Sequence, residues 1–186
     1  MPRSKKCKNV DCGALFEPVK PLQNVCSPMC AIAYTRQQKA KKQRKKDREW
    51  RRDNRTKREL TKAVEKVCHE YILLRDKDRP CVSCGLVVAG YGVGGDYDAG
   101  HYFSRGAHPS VRFDCRNIHK QCKKCNRWLS GNIHQYKDGI LTRISENDFK
   151  ELERLSNKVR KYTLAELVEL EQEFKTKIKE LKCLHN

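Results

Sequence analysis

The sequence lacks any run of 18 apolar residues, and Met1–Lys8 is polar and basic with no apolar stretch behind it. A membrane-spanning helix and a secretory signal both need such a run, so we expect neither, and we expect a cytoplasmic protein without membrane contact. Hydrophobic residues are also few, at 38%. That share supports one or two small cores and excludes a single large α/β enzyme.

Acidic residues are scarce as well: 23 Asp and Glu stand against 41 Lys and Arg in 186 residues, a formal net charge of +18. Half of the excess lies in residues 36–59, where 13 basic residues meet four acidic ones, a difference of +9. This density indicates a nucleic-acid partner, with a solvated or partly disordered charged face as the alternative. The cations of this run that we expect to bind DNA phosphates are Lys41, Lys42, Arg44, Lys45, Lys46, Arg48, Arg51, Arg52 and Arg55.

Four segments of different composition divide the chain. Residues 1–35 contain four cysteines, and residues 36–78, which contain neither Gly nor Pro, favour one long basic helix. Residues 79–142 hold two further cysteine pairs, and residues 143–186 are predicted to form C-terminal helices. The expected fold class is α+β and mostly helical.

Helical periodicity is clearest in two places. An apolar stripe in the second half of the long helix should pack on a core or on a partner helix. Helices are also predicted to begin after Ser145 and after Thr163, which forms a capping box with Glu166. The stripe residues are Leu60, Val64, Val67, Tyr71 and Leu74.

Eleven cysteines, an odd number in a chain expected to stay in a reducing compartment, favour metal sites over disulfides. Two sets have the spacing of zinc ligands, and each can surround one structural zinc ion. The first segment is too short for a core of its own, so metal binding should drive its folding, and four free cysteines are the alternative. The two sets are Cys7, Cys12, Cys26 and Cys30, and Cys81, Cys84, Cys122 and Cys125. We interpret the remaining Cys68, Cys115 and Cys183 as small buried side chains or spare thiols.

A group of polar residues lies between and just after the two Cys-x-x-Cys pairs: Asp98-Ala-Gly-His101, then Asn117, then Asn126 directly after Cys125. This order resembles the HNH, or ββα-metal, nucleases, and is similar to junction-resolving enzymes of the endonuclease VII type. The resemblance implies a zinc-stabilised ββα-metal core. In it His101 is the general base, Asn117 orients that base, and Asn126 is a ligand of the catalytic cation.

Phosphodiester hydrolysis needs a base with a pKa near neutral and a cation that stabilises the phosphorane, and a histidine with oxygen donors supplies both. The cation should be Mg²⁺ or Mn²⁺. The resemblance calls for an acidic ligand directly before His101, where this sequence has Gly100. Asp98 can replace it only if the strand bends or bulges, and Asp96 and Asp114 are weaker candidates. We interpret His119 and His134 as satisfied surface histidines.

Basic residues surround this group and should position phosphates without reading bases. They are Arg105, Arg112, Lys123, Lys124 and Arg127. The whole chain, from the Cys7–Cys30 module through Ala99-Gly-His-Tyr-Phe-Ser-Arg105 to Cys122-Lys-Lys-Cys125-Asn-Arg127, resembles the lambdoid phage recombination endonucleases called NinG or Rap.

That resemblance implies a nuclease that cuts branched DNA, Holliday junctions and D-loops, in the cytoplasm of the phage's host. It also implies a homodimer, formed through the stripe at residues 60–74 or through the C-terminal helices. Two alternatives remain open. One is a non-enzymatic zinc-dependent nucleic-acid-binding protein, and the other is a sequence-specific HNH endonuclease.

Overall fold

A computed structural model of the chain describes residues 4–87 and 96–184. The chain forms two compact units that divide between Arg55 and Thr56. None of the helices in the described ranges is both long and apolar enough to cross a membrane. The architecture is α+β and mostly helical, as predicted, and the described residues form two sheets of two strands each.

The N-terminal unit consists of a short hairpin followed by a long helix. Strands β1 (Lys5–Lys6) and β2 (Leu15–Phe16) pair antiparallel, and helix α1 spans Pro28–Asp53. Ser27 caps α1, because its hydroxyl accepts a hydrogen bond from the Cys30 backbone amide. This cap places the last cysteine of the first set at the start of the helix, facing the hairpin segment.

The prediction of a single helix over residues 36–78 is wrong, because the structure has two helices in this range. Helix α1 ends at Asp53, and helix α2 spans Lys57–Arg75. Thr56 and Glu59 form a complete capping box, in which each side chain bonds the other residue's backbone amide. The first backbone amides of any helix lack acceptors within the helix, and a capping box supplies them. The box can therefore start a new helix here although the segment contains no Gly or Pro to end the previous one.

In the second unit, α2 packs against the C-terminal helix α5 (Leu164–Leu184). Two residues of the predicted stripe, Leu60 and Val64, are buried in this contact together with Cys68 and Ile72, whereas Val67, Tyr71 and Leu74 are half-buried. The α2 stripe is therefore buried in part, within its own chain. Its buried members cannot make the dimer contact that was one of our two expectations.

The C-terminal helices begin where the sequence predicts. Helix α4 spans Glu146–Ser156 with Ser145 as its N-cap, and Thr163 forms the expected capping box with Glu166 at the start of α5. Together with the helix at Ile133–Leu141 (α3), helix α4 forms a second small core. The two small cores agree with the limited share of apolar residues.

The second sheet packs against α2, and the π-helical turn that follows it contacts its last strand. Strand β3 (Tyr97–His101) pairs antiparallel with β4 (Ile118–Cys122) in an uninterrupted register. A π-helical turn at Lys124–Trp128 and then α3 follow β4. Asn126 lies in that turn, directly after Cys125.

Candidate functional site

The sulfur atoms of Cys7, Cys12, Cys26 and Cys30 converge, all within 4.8 Å of one another. The Cys12 and Cys26 sulfurs are 3.7 Å apart, and those of Cys26 and Cys30 are 3.6 Å apart. With Zn–S distances of roughly 2.3 Å, a tetrahedral site separates its sulfurs by about 3.8 Å. The predicted convergence is confirmed, and its spacing is consistent with zinc.

Local backbone geometry holds this first cysteine cluster together. The Cys7 amide donates to the Ala14 carbonyl across the hairpin, and Gly13 takes a left-handed conformation with φ of +60° that closes the turn. The Asn9 amide donates to the Cys30 sulfur at 3.4 Å and, with Ser27, lowers the pKa of that thiol to about 6. A thiol that ionises readily is suited to metal binding, which requires thiolate.

The second cluster, Cys81, Cys84, Cys122 and Cys125, has equally close sulfurs, with 3.8 Å between Cys84 and Cys122. The Cys122 amide donates to the Cys81 sulfur at 3.3 Å, and the Cys125 amide to the Cys122 sulfur at 3.5 Å. Burial opposes ionisation of Cys81, but backbone amides outweigh it and lower its pKa. The cluster fits a tetrahedral thiolate site that clamps the end of β4.

The other three cysteines match their interpretation. Cys68 is fully buried in the core, where burial raises the pKa of its thiol. Cys115 is half-buried against the same core, and Cys183 is exposed. Among the described residues, groups of three or more Cys, His, Asp or Glu side chains that could hold a metal ion occur at the two four-cysteine clusters alone.

A polar cavity of about 510 Å³ lies beside β3, between α2 and the π-helical turn. It brings together Asp98, His101 and Asn126, the residues that the sequence singled out. The Asn126 amide nitrogen donates to Asp98 Oδ2 at 2.9 Å. No bend brings Asp98 there, because β3 and β4 pair regularly from Tyr97 to His101. The condition that the sequence analysis set for Asp98, a bend or bulge, is therefore not needed: Asp98 and His101 both line the cavity from a regularly paired strand.

His101 is held in one tautomer. Its Nε2 atom lies 3.0 Å from the Arg112 carbonyl oxygen, which can only accept, so Nε2 carries the proton and Nδ1 carries the lone pair. Burial lowers the pKa of His101 to about 4, although the bond to Arg112 opposes this shift. The imidazole is consequently neutral at physiological pH, but its pKa lies below the near-neutral value that the sequence analysis expected of the base, because burial disfavours the imidazolium. A backbone hydrogen bond defines its basic nitrogen.

His69 is a cavity residue that the sequence analysis missed. It projects from α2, and its ring packs edge-on against the His101 ring with 5.6 Å between centroids. Burial lowers the pKa of His69, so both rings are neutral together. No local spacing signals this contact, because 32 residues separate the two histidines in the sequence.

Asn117 is fully buried but bonds the loop and not the His101 ring, which corrects its predicted direct role. Its side-chain oxygen accepts from the Phe103 amide at 2.8 Å, and its nitrogen donates to the Phe103 and Val111 carbonyls at 3.0 Å. These bonds tie the loop between β3 and β4 next to Arg112, whose carbonyl holds His101. Asn117 therefore fixes the backbone beside the carbonyl that accepts from His101.

Asp98 is engaged by a cation. Arg127 donates from Nε to Oδ2 and from a terminal nitrogen to Oδ1, both at 2.7 Å. Burial opposes ionisation of Asp98, but Arg127 and Asn126 outweigh it and lower the pKa of the carboxyl. A carboxylate and a side-chain amide are donor types that Mg²⁺ accepts, but Arg127 occupies both carboxylate oxygens here. Asp114 instead pairs with Arg116 at 2.8 Å.

The predicted phosphate-binding cations divide into two groups. On α1 the side chains from Lys41 to Arg52 are exposed, while Arg55, after the helix, is half-buried. In the second unit Arg105 and Arg112 both bind Glu65 of α2, at 3.3 and 2.7 Å. Arg112 is therefore a structural residue and cannot freely reach a phosphate. Lys124 is exposed, and Lys123 is half-buried.

The two remaining histidines differ. His119 is buried, contrary to its prediction as a surface residue, and is satisfied on both sides. Its Nδ1 accepts from Arg75 and its Nε2 donates to the Arg116 carbonyl, each at 3.0 Å. His134 is exposed on α3, as predicted.

Comparisons with known proteins find matches to one protein family. The profile of the family described as NinG, Bacteriophage Lambda NinG protein, matches residues 1–183. The chain is similar to "Protein ninG" of Escherichia phage lambda, with 33% identity over 97% of this chain and 95% of the relative. "Protein ninG" of Salmonella phage P22 is 33% identical over 96% and 94%, and that of Escherichia phage 933W is 36% identical over 65% and 57%. No solved structure matched the chain.

Proposed function

We propose that this chain, which belongs to the NinG family of phage proteins, is a divalent-metal-dependent endonuclease that cuts branched DNA such as Holliday junctions and D-loops. The names of the family members state no activity, so the proposal rests on the site. The observation that carries this proposal is the meeting of three kinds of group at one cavity. They are a neutral histidine with a defined tautomer, a carboxylate bonded to an amide, and arginine cations.

His101 is the general base. Its Nδ1 lone pair takes a proton from the attacking water, while the Nε2–H bond to the Arg112 carbonyl keeps the ring from turning. The bond also delocalises the charge that the ring gains on protonation. Asn117 maintains this geometry by tying the loop before Arg112. His69 packs against the ring and limits its movement further.

Asp98 and Asn126 would hold the divalent cation, Mg²⁺ or Mn²⁺, through a carboxylate oxygen and the amide oxygen of Asn126, whose nitrogen donates to Asp98 in the free protein. When bound, the cation supplies positive charge for the pentacovalent phosphate and the leaving oxygen. Arg127 occupies the same carboxylate in the free protein and is more than half exposed. A DNA phosphate competes for this guanidinium, so Arg127 can move from Asp98 to the substrate.

The two four-cysteine clusters would each hold a structural zinc that does not react. The second cluster fixes the end of β4 and the turn that carries Asn126 and Arg127. The exposed cations of α1 would bind the phosphates of duplex arms, and a homodimer would place two such sites on one four-way junction. The exposed faces of the C-terminal helices are the remaining choice for that dimer contact.

A non-enzymatic zinc-dependent nucleic-acid-binding protein is the second candidate. The observation that favours it is the Asp98–Arg127 pair, since a carboxylate bound on both oxygens does not have to bind a cation. If this candidate is right, the cavity residues only stabilise the fold, and Arg127 stays bound to Asp98 and does not move to a DNA phosphate.

One assay separates the candidates. The purified protein is incubated with a labelled four-way junction and with a linear duplex of the same sequence, each with and without Mg²⁺. Mg²⁺-dependent cutting of the junction alone supports the proposal. Binding without cutting supports the second candidate, and cutting of the linear duplex at a defined sequence supports a sequence-specific HNH enzyme.

A further inference from the structure

An exposed tryptophan lies directly after the cavity residues of the π-helical turn. Trp128 is 82% exposed, and its neighbours Leu129 and Ile133 are 48% and 41% exposed. We call these three residues the Trp128 shelf. An exposed tryptophan beside a polar cavity suits a binding surface, because the indole offers a large flat apolar face and a polar N–H.

The backbone under the shelf is rigid and strained. Ser130, Gly131 and Asn132 have φ values of 49°, 86° and 45°, and this serine and asparagine are the two non-glycine residues with positive φ in the described ranges. Gln121 donates to the Gly131 carbonyl at 2.6 Å, and the Gly131 amide donates to the Cys125 carbonyl. Positive φ in non-glycine residues costs free energy, and such strain concentrates at functional sites.

The shelf adjoins the cavity on both sides along the chain. Asn126 and Arg127 line the cavity before Trp128, and Ser130, Gly131 and Ile133 line it afterwards. Trp128 is not among the residues that line the cavity, but its backbone follows that of Arg127 directly, about 3.8 Å away between Cα atoms. The indole ring is therefore within reach of a nucleotide whose phosphate binds Arg127. Lys124, which is exposed one turn earlier, adds positive charge that favours a nucleic acid over an apolar partner.

We propose that the Trp128 shelf stacks an unpaired nucleobase of the DNA whose phosphate occupies the cavity. The inference rests on the proposed function and deepens it by naming what distinguishes a branched substrate from a duplex. Bases at a branch point or flap can leave the helix and expose a face, whereas bases in a continuous duplex are stacked on their neighbours. Stacking on an aromatic ring accepts any base, which suits recognition of structure without sequence.

Tryptophan fluorescence tests this directly, because the chain has two tryptophans and Trp50→Phe leaves Trp128 as the reporter. The variant is titrated, without added divalent cation, with a fork that has unpaired nucleotides at its branch and with a continuous duplex. Binding is followed in parallel by anisotropy of labelled DNA. We expect the fork to quench Trp128 emission at saturation and the duplex to leave it nearly unchanged.

Substitutions separate stacking from simple apolar contact. Trp128→Ala should weaken fork binding about tenfold, the order expected when one base is no longer stacked, and duplex binding less than twofold. Trp128→Phe should keep most of the fork affinity, and Trp128→Leu should lose it. Val159→Ala is the control, since it removes an exposed apolar side chain between α4 and α5, outside the surfaces proposed to bind DNA.

Several outcomes would overturn the inference. If the fork binds while Trp128 emission is unchanged, or if Leu replaces Trp without loss, DNA binding stands and stacking is wrong. If emission changes with protein concentration in the absence of DNA, the shelf is a contact between copies of the chain. If neither DNA binds, the proposed function fails together with this inference.

Discussion

At the scale of single residues, the tautomer of His101 is determined by a residue that carries no catalytic side chain. The carbonyl of Arg112 accepts from Nε2, so the side-chain chemistry depends on where the loop backbone lies. Asn117 fixes that loop with three hydrogen bonds. The spacing of residues in the sequence can predict that His101 and Asn117 belong to the site, but it cannot predict which backbone carbonyl accepts the hydrogen bond from His101.

Acidification should destabilise the second unit through His101. Its pKa is about 4 in the folded protein and roughly 6.5 in an unfolded chain, so the unfolded state binds a proton first as the pH falls. The stability is complete above pH 7 and declines from about pH 6.5 down to pH 4. At pH 4.5 the loss from this residue is about 2.5 kcal/mol.

The measurement is denaturant unfolding of the wild type and of His101→Gln at pH 7 and pH 4.5. Glutamine does not titrate, so the variant should lose about 2.5 kcal/mol less on acidification than the wild type. Zinc loss affects both proteins equally, and a His69→Gln background in both removes the titration of the ring that contacts His101. Equal losses in both would contradict the burial of His101 as the cause.

Arg127 should compete with a divalent cation for Asp98. A half-exposed ion pair is worth up to about 1 kcal/mol, so Arg127→Ala should tighten Mn²⁺ binding about fivefold when no DNA is present. Electron paramagnetic resonance of free Mn²⁺ measures this. Lys124→Ala removes an exposed charge nearby without freeing Asp98, and should change the affinity much less. If both substitutions changed the Mn²⁺ affinity equally, the effect would come from the lost positive charge alone and not from competition for Asp98.

At the scale of elements, the sequence predicted helix starts well where a capping pattern was recognised. Thr163 with Glu166 was identified and begins α5, while the equivalent Thr56 with Glu59 was overlooked because the segment has no Gly or Pro. The missed break matters, because it divides the basic helix from the helix that carries His69. A capping box was the signal that could have revealed it.

The α1 cations should account for much of the salt dependence of DNA binding. Replacing four exposed lysines by glutamine should flatten the slope of log K against log salt by about 0.9 for each phosphate that the protein no longer neutralises. The lysines are Lys41, Lys42, Lys45 and Lys46. The control replaces four exposed lysines elsewhere with the same change of charge. These are Lys150, Lys158, Lys175 and Lys179. Equal slopes in the two variants would remove the docking role of α1.

At the scale of the whole molecule, the two units differ in what stabilises them. In residues 4–55 the buried side chains are Cys7, Asn9 and Cys30, so this unit has no apolar core beyond its sulfur cluster. The second unit has two apolar cores that do not depend on cysteine ligands. The low share of apolar residues predicted small cores, but composition alone could not show that one unit lacks a core.

Metal removal should therefore unfold the units unequally. The protein should bind two zinc ions, and Cys7→Ser with Cys12→Ser should leave one. Hydrogen exchange should then show loss of protection in residues 4–55, because metal binding supplies the folding free energy there. The α2–α5 core should remain protected. Global unfolding of the variant would contradict this division, and Cys183→Ser, at an exposed cysteine, is the matched control.

The family and the two cysteine clusters were both accessible from the sequence, because ligand spacing is a local pattern and the resemblance extends along the whole chain. The cavity was accessible only in part. Asp98, His101 and Asn126 lie in recognisable order, but His69 and Glu65 reach the site from a helix more than 30 residues earlier. Long-range packing of this kind is not encoded in local spacing.

The proposed role of His101 is tested by cutting of a four-way junction in Mg²⁺ by the wild type, His101→Ala and His134→Ala, with junction binding measured alongside. His134 is exposed on α3 and serves as the matched histidine control. We expect His101→Ala to bind the junction normally but to cut it at least about 100-fold more slowly, the usual order when a general base is removed. His134→Ala should cut at the wild-type rate. Undiminished cutting by His101→Ala would show that His101 is not the general base.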